Sequence, residues 1–282
     1  MSSRRLRGGA PDGASGGGQP PIKQVLGTAQ PAPPAQPEPR AARKFFGSRL
    51  REAGPVAVLG TDTAIGKTYV TLRLAAGLRQ RGDRVWLHKP IACGGWQGGA
   101  WPDGTAEDAR RLAEQLGDGQ PLETLCPVQF PGECSPFLAA AALGQSVPIA
   151  QLVGVIRRLE AQTCDLGAWL LVETAGGLLS PIAAKRATNA DLLVASGLPA
   201  VLVTSARLGT QNHTALAVAV ARQRGIRLLG LVVNQTVPGS GAELATIQTE
   251  LSAITGLTVL ATLGESDSGD GGLAEALAEC PV

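Results

Sequence analysis

Nine consecutive residues decide how this chain folds, and they are Gly60-Thr61-Asp62-Thr63-Ala64-Ile65-Gly66-Lys67-Thr68. They match the phosphate-loop pattern G-x-x-x-x-G-K-[ST], in which successive backbone N–H groups surround phosphate oxygens. An apolar run typical of a strand precedes them and an amphipathic stretch follows, which is the setting that the motif requires. We expect Lys67 to reach the β- and γ-phosphates of a nucleotide and the Thr68 hydroxyl to ligate Mg²⁺. The stretch therefore predicts nucleotide binding at a strand–loop–helix junction.

Outward from this loop, short apolar runs alternate with longer amphipathic stretches. The runs that indicate buried strands are residues 56–59, 84–88, 168–172, 200–203, 228–233 and 257–261. The stretches that indicate helices are residues 67–81, 106–116, 148–163, 211–224 and 241–254. This alternation predicts an α/β fold of the P-loop NTPase type, a mostly parallel sheet with helices on both faces. In such sheets, ligands bind beyond the carboxyl ends of the strands.

Residues 1–48 differ from the rest, because Gly, Pro, Ala and Gln dominate them and apolar periodicity is almost missing. Such a composition buries too little apolar surface to offset the entropy of ordering, so we predict a disordered Gly/Pro/Arg-rich tail. A transit peptide is the alternative, although the Gly and Pro content disfavours the amphipathic helix that such signals use. Residues 54–282 are predicted to form one domain.

Charge and cysteine content limit the partners and the compartment. The formal net charge of +2 comes mainly from arginines in the first 51 residues, so no basic face of the domain indicates nucleic acid binding. The five cysteines include no C-x-x-C pair and follow no secretory signal, which favours a reducing cytoplasm. The apolar runs are too short to span a membrane. We therefore expect a cytoplasmic protein without nucleic acid or membrane partners.

Three charged residues follow predicted strands or open a predicted helix near this edge of the sheet. Glu173 ends the strand 168–172, and Asp108 lies in the first turn of the helix from residue 106. Both are candidate oxygen ligands of Mg²⁺, although Asp108 also fits an ordinary acid in the first turn of a helix. Lys89 ends the second strand before Pro90, and its charge suits either the stabilisation of anionic oxygens or simple solvation.

Taken in order, five motifs resemble those of the dethiobiotin synthetases over essentially all of residues 54–282. They are the phosphate loop already quoted, Lys89-Pro90-Ile91-Ala92, Glu173-Thr174-Ala175-Gly176-Gly177, Arg207-Leu208-Gly209-Thr210-Gln211-Asn212-His213 and Val232-Val233-Asn234. The phosphate loop belongs to a much larger superfamily, whereas all five motifs in this order are specific. The resemblance implies that 7,8-diaminononanoate forms a carbamate with CO₂, that ATP phosphorylates the carbamate, and that the second amine closes a cyclic urea.

The resemblance also implies roles for particular residues. Lys89 and Lys67 are expected to act in catalysis, and Thr68, Asp108 and Glu173 to hold Mg²⁺. The diamine substrate is expected to contact Cys93 and, across the boundary of a homodimer, the loop Gly209, Thr210, Gln211 and Asn212. ATP and its metal ion are expected to contact Thr63, Ala64, Ile65, Gly66, Lys67, Thr68, Tyr69, Asp108, Glu173, Thr174, Ala175 and Gly176, with Asn234 and Gln235 beside the adenine.

The chain departs from the family pattern at a few positions. Cys93 stands where Ser or Thr is common, Ala64 where an acid is frequent, and Thr174 where Gly is frequent. The segment after Leu263 lacks a usual proline, which leaves the adenine contacts there open. None of these changes removes a charge that the chemistry requires.

Two other functions fit the phosphate loop. A corrinoid amidase-type synthase of the same superfamily carries a similar loop, but it adds a glutaminase domain for which no chain length remains. A switch ATPase of the ParA type normally has a second lysine early in the loop, where this chain has Thr61 and Asp62.

Overall fold

The computed structural model of the protein describes residues 54–100, 103–235, 241–264 and 271–279. The predicted tail, residues 1–48, lies outside the described residues. The strands are β1 (Pro55–Gly60), β2 (Arg84–His88), β3 (Ala92–Cys93), β4 (Gln129–Phe130), β5 (Ala168–Gly177), β6 (Ala200–Ser205), β7 (Leu228–Asn234) and β8 (Val259–Leu263). The helices are α1 (Lys67–Gln80), α2 (Glu107–Ala113), α3 (Pro136–Ala142), α4 (Ile149–Asp165), α5 (Asn189–Ser196), α6 (Thr210–Gln223), α7 (Gly241–Thr255) and α8 (Gly271–Glu279).

Six strands form one sheet in the order β2-β5-β1-β6-β7-β8, and every neighbouring pair is parallel. The prediction of a parallel α/β sheet is therefore confirmed. The order places the carboxyl ends of β2, β5 and β1 side by side. The phosphate loop, Lys89 and Glu173 follow or end these three strands, so the topology alone brings them to one edge.

Helices cover both faces of this sheet. Residues of β1 alternate between two apolar cores, with Ala57 and Leu59 in one and Val56 and Val58 in the other. The first core is completed by α4, α5 and α6, and the second by α1, α2 and α8. Burial on both faces explains why the strands are almost continuously apolar instead of alternating with polar residues.

The predicted boundaries hold for most elements, but two predictions were wrong. Residues 174–177 were expected to form a flexible loop, yet they belong to β5, where Gly177 pairs with Gly60 and the Thr174 hydroxyl donates to the Val58 carbonyl at 3.1 Å. The strand predicted at 257–261 lies instead at Val259–Leu263. In both cases the apolar run was a poor guide, because Thr and Gly residues take part in strand pairing without adding hydrophobicity.

Four elements that position the site were not predicted. A two-stranded sheet pairs β3 with β4, and Cys93 lies opposite Phe130. Helix α3 follows β4, and α5 lies between β5 and β6. Each of these elements is at most eight residues long, too short to show a period in the sequence.

Candidate active site

The phosphate loop has the conformation that its glycines permit. Gly66 caps the start of α1 with φ near 89°, a left-handed value that favours glycine. A Cβ atom at Gly60 would lie 2.9 Å from the Ile65 side chain and 3.0 Å from Lys67 Cδ, so only glycine lets the loop close this tightly. The backbone therefore leaves the amino end of α1 and its dipole open toward the cavity.

Lys67 lies inside the loop. Its side chain is almost buried, and Nζ donates a 3.0 Å hydrogen bond to the Asp62 carbonyl. Burial, assisted by the positive charge of Lys89, lowers the pKa of Lys67 to about 8. An anionic ligand in the loop would favour the charged form, since opposite charges raise the pKa of an amine.

Four side chains from different elements meet beside the loop. Lys89 Nζ donates to Asp108 Oδ2 at 2.7 Å and to Glu173 Oε1 at 2.5 Å. The Thr68 hydroxyl lies 3.0 Å from Asp108 Oδ1 and 2.7 Å from Glu173 Oε1. The sequence-based grouping of these residues is thus reproduced in space.

The opposite charges in this group stabilise the ionised forms of Lys89 and Asp108. Burial by itself lowers the pKa of Lys89, but the negative charges of Glu173 and Asp108 outweigh it, and the pKa of Lys89 is raised. Burial raises the pKa of Asp108, but Lys89 beside it keeps that pKa below its usual value. The site therefore holds a charged lysine and an ionised aspartate at neutral pH.

The residues also suit a hard divalent cation. Glu173 Oε2 is buried and has no hydrogen-bond partner among the described residues, whereas Oε1 is already shared by Lys89 and Thr68. Carboxylate and hydroxyl oxygens are the donors that Mg²⁺ prefers, with water and phosphate completing its shell. No group of three or more His, Cys, Asp or Glu suited to a metal occurs within the described ranges, so any such ion would rely on these mixed oxygens.

These side chains open onto a cavity of about 810 Å³. The predicted site residues that line it are Thr63, Ala64, Gly66, Lys67, Thr68, Tyr69, Lys89, Cys93, Asp108, Glu173, Ala175 and Gly176. The sequence did not suggest the rest of the lining, which comprises Gly94, Gly95, Glu107, Arg111, Glu133, Cys134, Ser135, Pro136 and Ser180. Most of these follow β3 or β4 or lie on α2, in segments without a recognisable motif.

Four predicted nucleotide-binding residues are not among those that line the cavity. Ile65 packs into the core, and Thr174 bonds the backbone of β1. Asn234 is buried and its side-chain amide donates to the Ile65 carbonyl at 3.0 Å, so it supports the phosphate loop from beneath. The Gln235 backbone N–H donates to the Leu263 carbonyl at 2.8 Å. Contact of Asn234 and Gln235 with adenine stays a prediction.

The loop 209–212, which was predicted to contact the substrate of a second copy, lies between β6 and the first turn of α6 and does not line the cavity within the described chain. Gly209 caps α6 with φ near 90°, and the Thr210 hydroxyl donates to the Ser205 carbonyl at 2.6 Å. The side chains of Gln211 and Asn212 are exposed. The loop is ordered by its own hydrogen bonds and remains accessible at the surface.

Cys93 lies in β3 and faces the cavity. Burial, together with the neighbouring thiol of Cys134, raises the pKa of Cys93 to about 12, although the charge of Lys89 opposes this effect. Cys93 is therefore a neutral thiol at physiological pH, a weak hydrogen-bond donor and a poor nucleophile.

No helix in the described ranges is both long enough and apolar enough to cross a membrane.

The sequence matches known proteins. A protein-family model described as an AAA domain (AAA_26) matches residues 55–268. The ATP-dependent dethiobiotin synthetase BioD of Anaeromyxobacter dehalogenans (strain 2CP-C) is 40% identical to this chain over 207 residues, which cover 73% of this chain and 87% of that protein. The ATP-dependent dethiobiotin synthetase BioD of Ralstonia nicotianae is 36% identical over 199 residues, covering 70% of this chain and 84% of that protein.

Among solved structures, the cell division ATPase MinD of Pyrococcus furiosus is 16% identical with a TM-score of 0.47, over 80% of this chain and 97% of that one. A ParA family ATPase from Chlorobium tepidum is 10% identical with a TM-score of 0.46, over 82% of this chain and 98% of that one. The fold assignment rests on the sheet order itself. With 40% identity across most of a curated relative, the chain belongs to the family of ATP-dependent dethiobiotin synthetases.

Proposed function

We propose that the protein joins CO₂ to 7,8-diaminononanoate at the expense of ATP, giving dethiobiotin, ADP and phosphate. One amine attacks CO₂ and loses a proton, forming a carbamate. The carbamate oxygen takes the γ-phosphoryl group of ATP, and ADP leaves. The second amine then attacks the activated carbonyl carbon, closes the five-membered urea and expels phosphate.

The observation that carries this proposal is the meeting of Lys89, Asp108, Glu173 and Thr68 beside the phosphate loop in a single cavity. Phosphoryl transfer needs positioning and neutralisation of charge more than covalent help from the protein. A buried ammonium group at this point can stabilise both a carbamate and a transferring phosphoryl group. Lys89 is held there by two carboxylates, so its position does not depend on the substrate.

Nucleotide binding is assigned to the phosphate loop. The loop backbone from Ala64 to Thr68 and the amino end of α1 suit the phosphates, and Lys67, whose side chain lines the cavity, is assigned to the γ-phosphate. The Tyr69 hydroxyl donates to the Gly264 carbonyl at 3.2 Å, which links the start of α1 to the segment after β8. We expect adenine in that direction, beside Asn234 and Gln235.

Mg²⁺ is the cofactor that the oxygen donors fit. Thr68, Asp108 and Glu173 would hold it, with the unpartnered Oε2 of Glu173 as one available ligand. When bound, the ion supplies neutralisation of the charge on the β- and γ-phosphates. Asp108 and Glu173 would then be partly engaged by the ion. Lys89 Nζ would have N–H groups available to donate to an anionic substrate oxygen.

The diamine is assigned to the part of the cavity lined by Cys93, Ala175 and Gly176. Its distant carboxylate is assigned to the loop 209–212 of a second copy, because this loop is accessible and lies outside the cavity of its own chain. A homodimer is therefore part of the proposal. The four described cysteines are free thiols, which supports a reducing cytoplasm as the compartment.

Phosphate release from ATP and Mg²⁺ tests the proposal. We expect strong stimulation only when 7,8-diaminononanoate and bicarbonate are both present, since water is a poorly positioned acceptor. Hydrolysis indifferent to the diamine would support the ParA-type switch instead. Stimulation by glutamine and a corrinoid would support the amidase.

A further inference from the structure

Within the part of the chain that the structure describes, β2 is an edge strand of the main sheet and pairs with one neighbouring strand, β5. The outer side of such a strand presents backbone N–H and C=O groups that need partners when they are buried. Residues 85–88 of β2 are buried. The strand ends immediately before Lys89. The groups that pair with its outer side therefore also determine the position of the Lys89 backbone.

Residues 118–125, which follow α2, lie along this side and accept a hydrogen bond from every second N–H group between Val85 and Lys89. Val85 N–H donates to Asp118 Oδ2 at 3.0 Å, Leu87 N–H to Gln120 Oε1 at 2.8 Å, and Lys89 N–H to the Leu125 carbonyl at 2.7 Å. The spacing of two residues is that of strand pairing. Side chains provide the first two partners and the backbone provides the third.

Gln120 both accepts a hydrogen bond from Leu87 and donates one to it, so only another side-chain amide could make the same contacts. Its Oε1 accepts from Leu87 N–H, while its Nε2 donates to the Leu87 carbonyl at 2.5 Å and to the Thr124 hydroxyl at 3.1 Å. The side chain is buried. A carboxylate in its place would face the Leu87 carbonyl without a proton, and an apolar side chain would leave both Leu87 groups unpaired.

The contacts of Gln120 continue toward the end of the strand. His88 Nδ1 bonds the Thr124 carbonyl at 2.8 Å, and burial lowers the pKa of His88 to about 4, so the ring is neutral. Leu87, His88 and Lys89 are thereby tied to residues 120–125 at three consecutive positions. Lys89 Nζ, in turn, must reach Asp108 and Glu173 from a backbone held in this way.

We propose that Gln120 is a positioning residue for Lys89: its amide fixes the carboxyl end of β2 so that the ammonium group lies beside the phosphate loop. This inference rests on the proposed function for its catalytic consequence, but its structural content is independent of the substrate. Gln120 does not line the cavity and is not expected to touch the diamine or ATP.

Asp118 offers a matched control. It accepts a hydrogen bond from the same side of the same strand, but at Val85, four residues before Lys89. Asp118→Ala and Gln120→Met therefore each remove one side-chain partner of β2, and Asp118→Ala also removes the 2.9 Å ion pair of Asp118 with Arg79. If these hydrogen bonds contributed only to stability, both variants would lower the melting temperature and the activity by similar amounts.

The experiment measures melting temperature and diamine-dependent phosphate release for the full chain and both variants. We expect Gln120→Met to lower kcat about tenfold or more while the KM for ATP changes less than about twofold, because a small displacement of a catalytic group is costly. Asp118→Ala is expected to keep kcat within about twofold. Equal kcat for Gln120→Met and the parent, or an equal kcat loss in Asp118→Ala, would overturn the inference. Gln120→Asn, an amide one methylene shorter, replaces Gln120→Met if the latter does not fold, and its expected kcat is intermediate.

A double-mutant cycle on stability provides a readout that does not need the substrate. Lys89→Met and Gln120→Met should be non-additive in melting temperature, because Gln120 holds Lys89 in its ion pairs, whereas Lys89→Met and Asp118→Ala should add. Additivity in both pairs would overturn the positioning role. If the parent protein shows no diamine-dependent release, the proposed reaction fails, and this cycle alone decides whether Gln120 positions Lys89.

Discussion

Lys89 and Glu173 stand side by side because His88 of β2 pairs in register with Val172 of β5. Their side chains meet at 2.5 Å, with only 2% and 1% of each side chain exposed. A buried pair of this kind is stable only when further polar groups satisfy both partners. Asp108 accepts a second hydrogen bond from Lys89, and the Thr68 hydroxyl donates to Glu173 Oε1, so four residues depend on one another for their positions. Glu173 Oε2 is left without a partner within the described residues, in a place that a cation could occupy.

Replacing Lys89 and replacing Lys67 should have different effects, the first mainly on turnover and the second mainly on ATP binding. Lys89→Ala is expected to lower kcat at least about a hundredfold, the loss typical of removing one donor to a developing charge, with little change in ATP affinity. Lys67→Ala should instead weaken ATP binding, because Lys67 lies within the phosphate loop. Phosphate release and binding of a fluorescent nucleotide measure the two effects. Equal effects of both variants on ATP affinity would contradict separate roles, provided that circular dichroism shows both proteins folded.

The charge on Glu173 should set the Mg²⁺ requirement. Glu173→Gln is expected to raise the Mg²⁺ concentration for half-maximal activity at least about tenfold, a loss seen even when an outer-shell partner of a metal ligand is removed. Glu114→Gln, at an exposed acid just after α2, is the control and should titrate like the parent. Excess chelator should abolish activity, and added Mg²⁺ should restore it. A Glu173→Gln variant with an unchanged Mg²⁺ titration would remove this residue from the ligand set.

Cys93 should resist modification at neutral pH although it faces the cavity. With its pKa raised to about 12, only about one thiol in ten thousand is ionised at pH 8, and the thiolate is the reactive form. Exposed Cys134 and Cys164 should therefore react first with N-ethylmaleimide, which peptide mass spectrometry can follow. Because Cys134 lines the same cavity, the test uses a Cys134→Ser background. There, labelling that reaches Cys93 should block activity, and the variant that also carries Cys93→Ser should remain active after the same treatment. Full activity with Cys93 confirmed as labelled would place the substrate elsewhere.

The sequence was sufficient for the charged centre of the site. Thr68 belongs to a motif with a fixed geometry, and Lys89 and Glu173 follow apolar runs whose parallel pairing brings them to one edge. Asp108 was ambiguous from its position alone, because an acid in the first turn of a helix also favours the helix dipole. Its contacts with Lys89 and Thr68 give it a place in the cluster.

The lining contributed by Glu133, Cys134 and Ser135 could not be predicted, because it depends on the pairing of two strands of only two residues each. The residue that pairs with the outer side of β2 could not be predicted either. Gln120 replaces a neighbouring strand by means of its side-chain amide, and a single polar residue between Gly119 and Pro121 has no pattern that indicates such a contact. Long-range contacts of this kind become visible only in three dimensions.

Light scattering should report twice the mass of the chain if the loop 209–212 serves the cavity of a second copy. Leu208, next to this loop, is fully exposed in the single chain. Leu208→Asp is expected to weaken the dimer and raise the KM for the diamine together, since a charge opposes burial in an interface. Ile254→Asp, at an exposed position on α7, is the comparison and should do neither. An active protein that remains monomeric at working concentrations would exclude a site shared between copies.

Asp191 should contribute stability that depends on pH. Its Oδ2 accepts from the Thr188 N–H at 2.7 Å and from the Thr188 hydroxyl at 2.8 Å in a capping box at the start of α5, while Oδ1 accepts from Arg224 at 2.5 Å. The Thr188 N–H, with help from Arg224, holds the pKa of Asp191 below its usual value. A carboxylate with a lowered folded-state pKa stabilises the protein above its unfolded pKa of about 3.9, and this stabilisation is lost as the pH falls through the folded-state pKa.

Asp191→Asn should therefore lower the melting temperature by a few degrees at pH 7, in line with about 1 kcal/mol for a helix cap. The difference between parent and variant should shrink as the pH falls below about 4, because the parent carboxylate then takes up a proton and resembles the neutral amide. Asp103→Asn, at an exposed turn between β3 and α2, is the control and should follow the parent at every pH. A difference that stays constant from pH 7 to pH 3 would show that Asp191 acts through its shape and not through its charge.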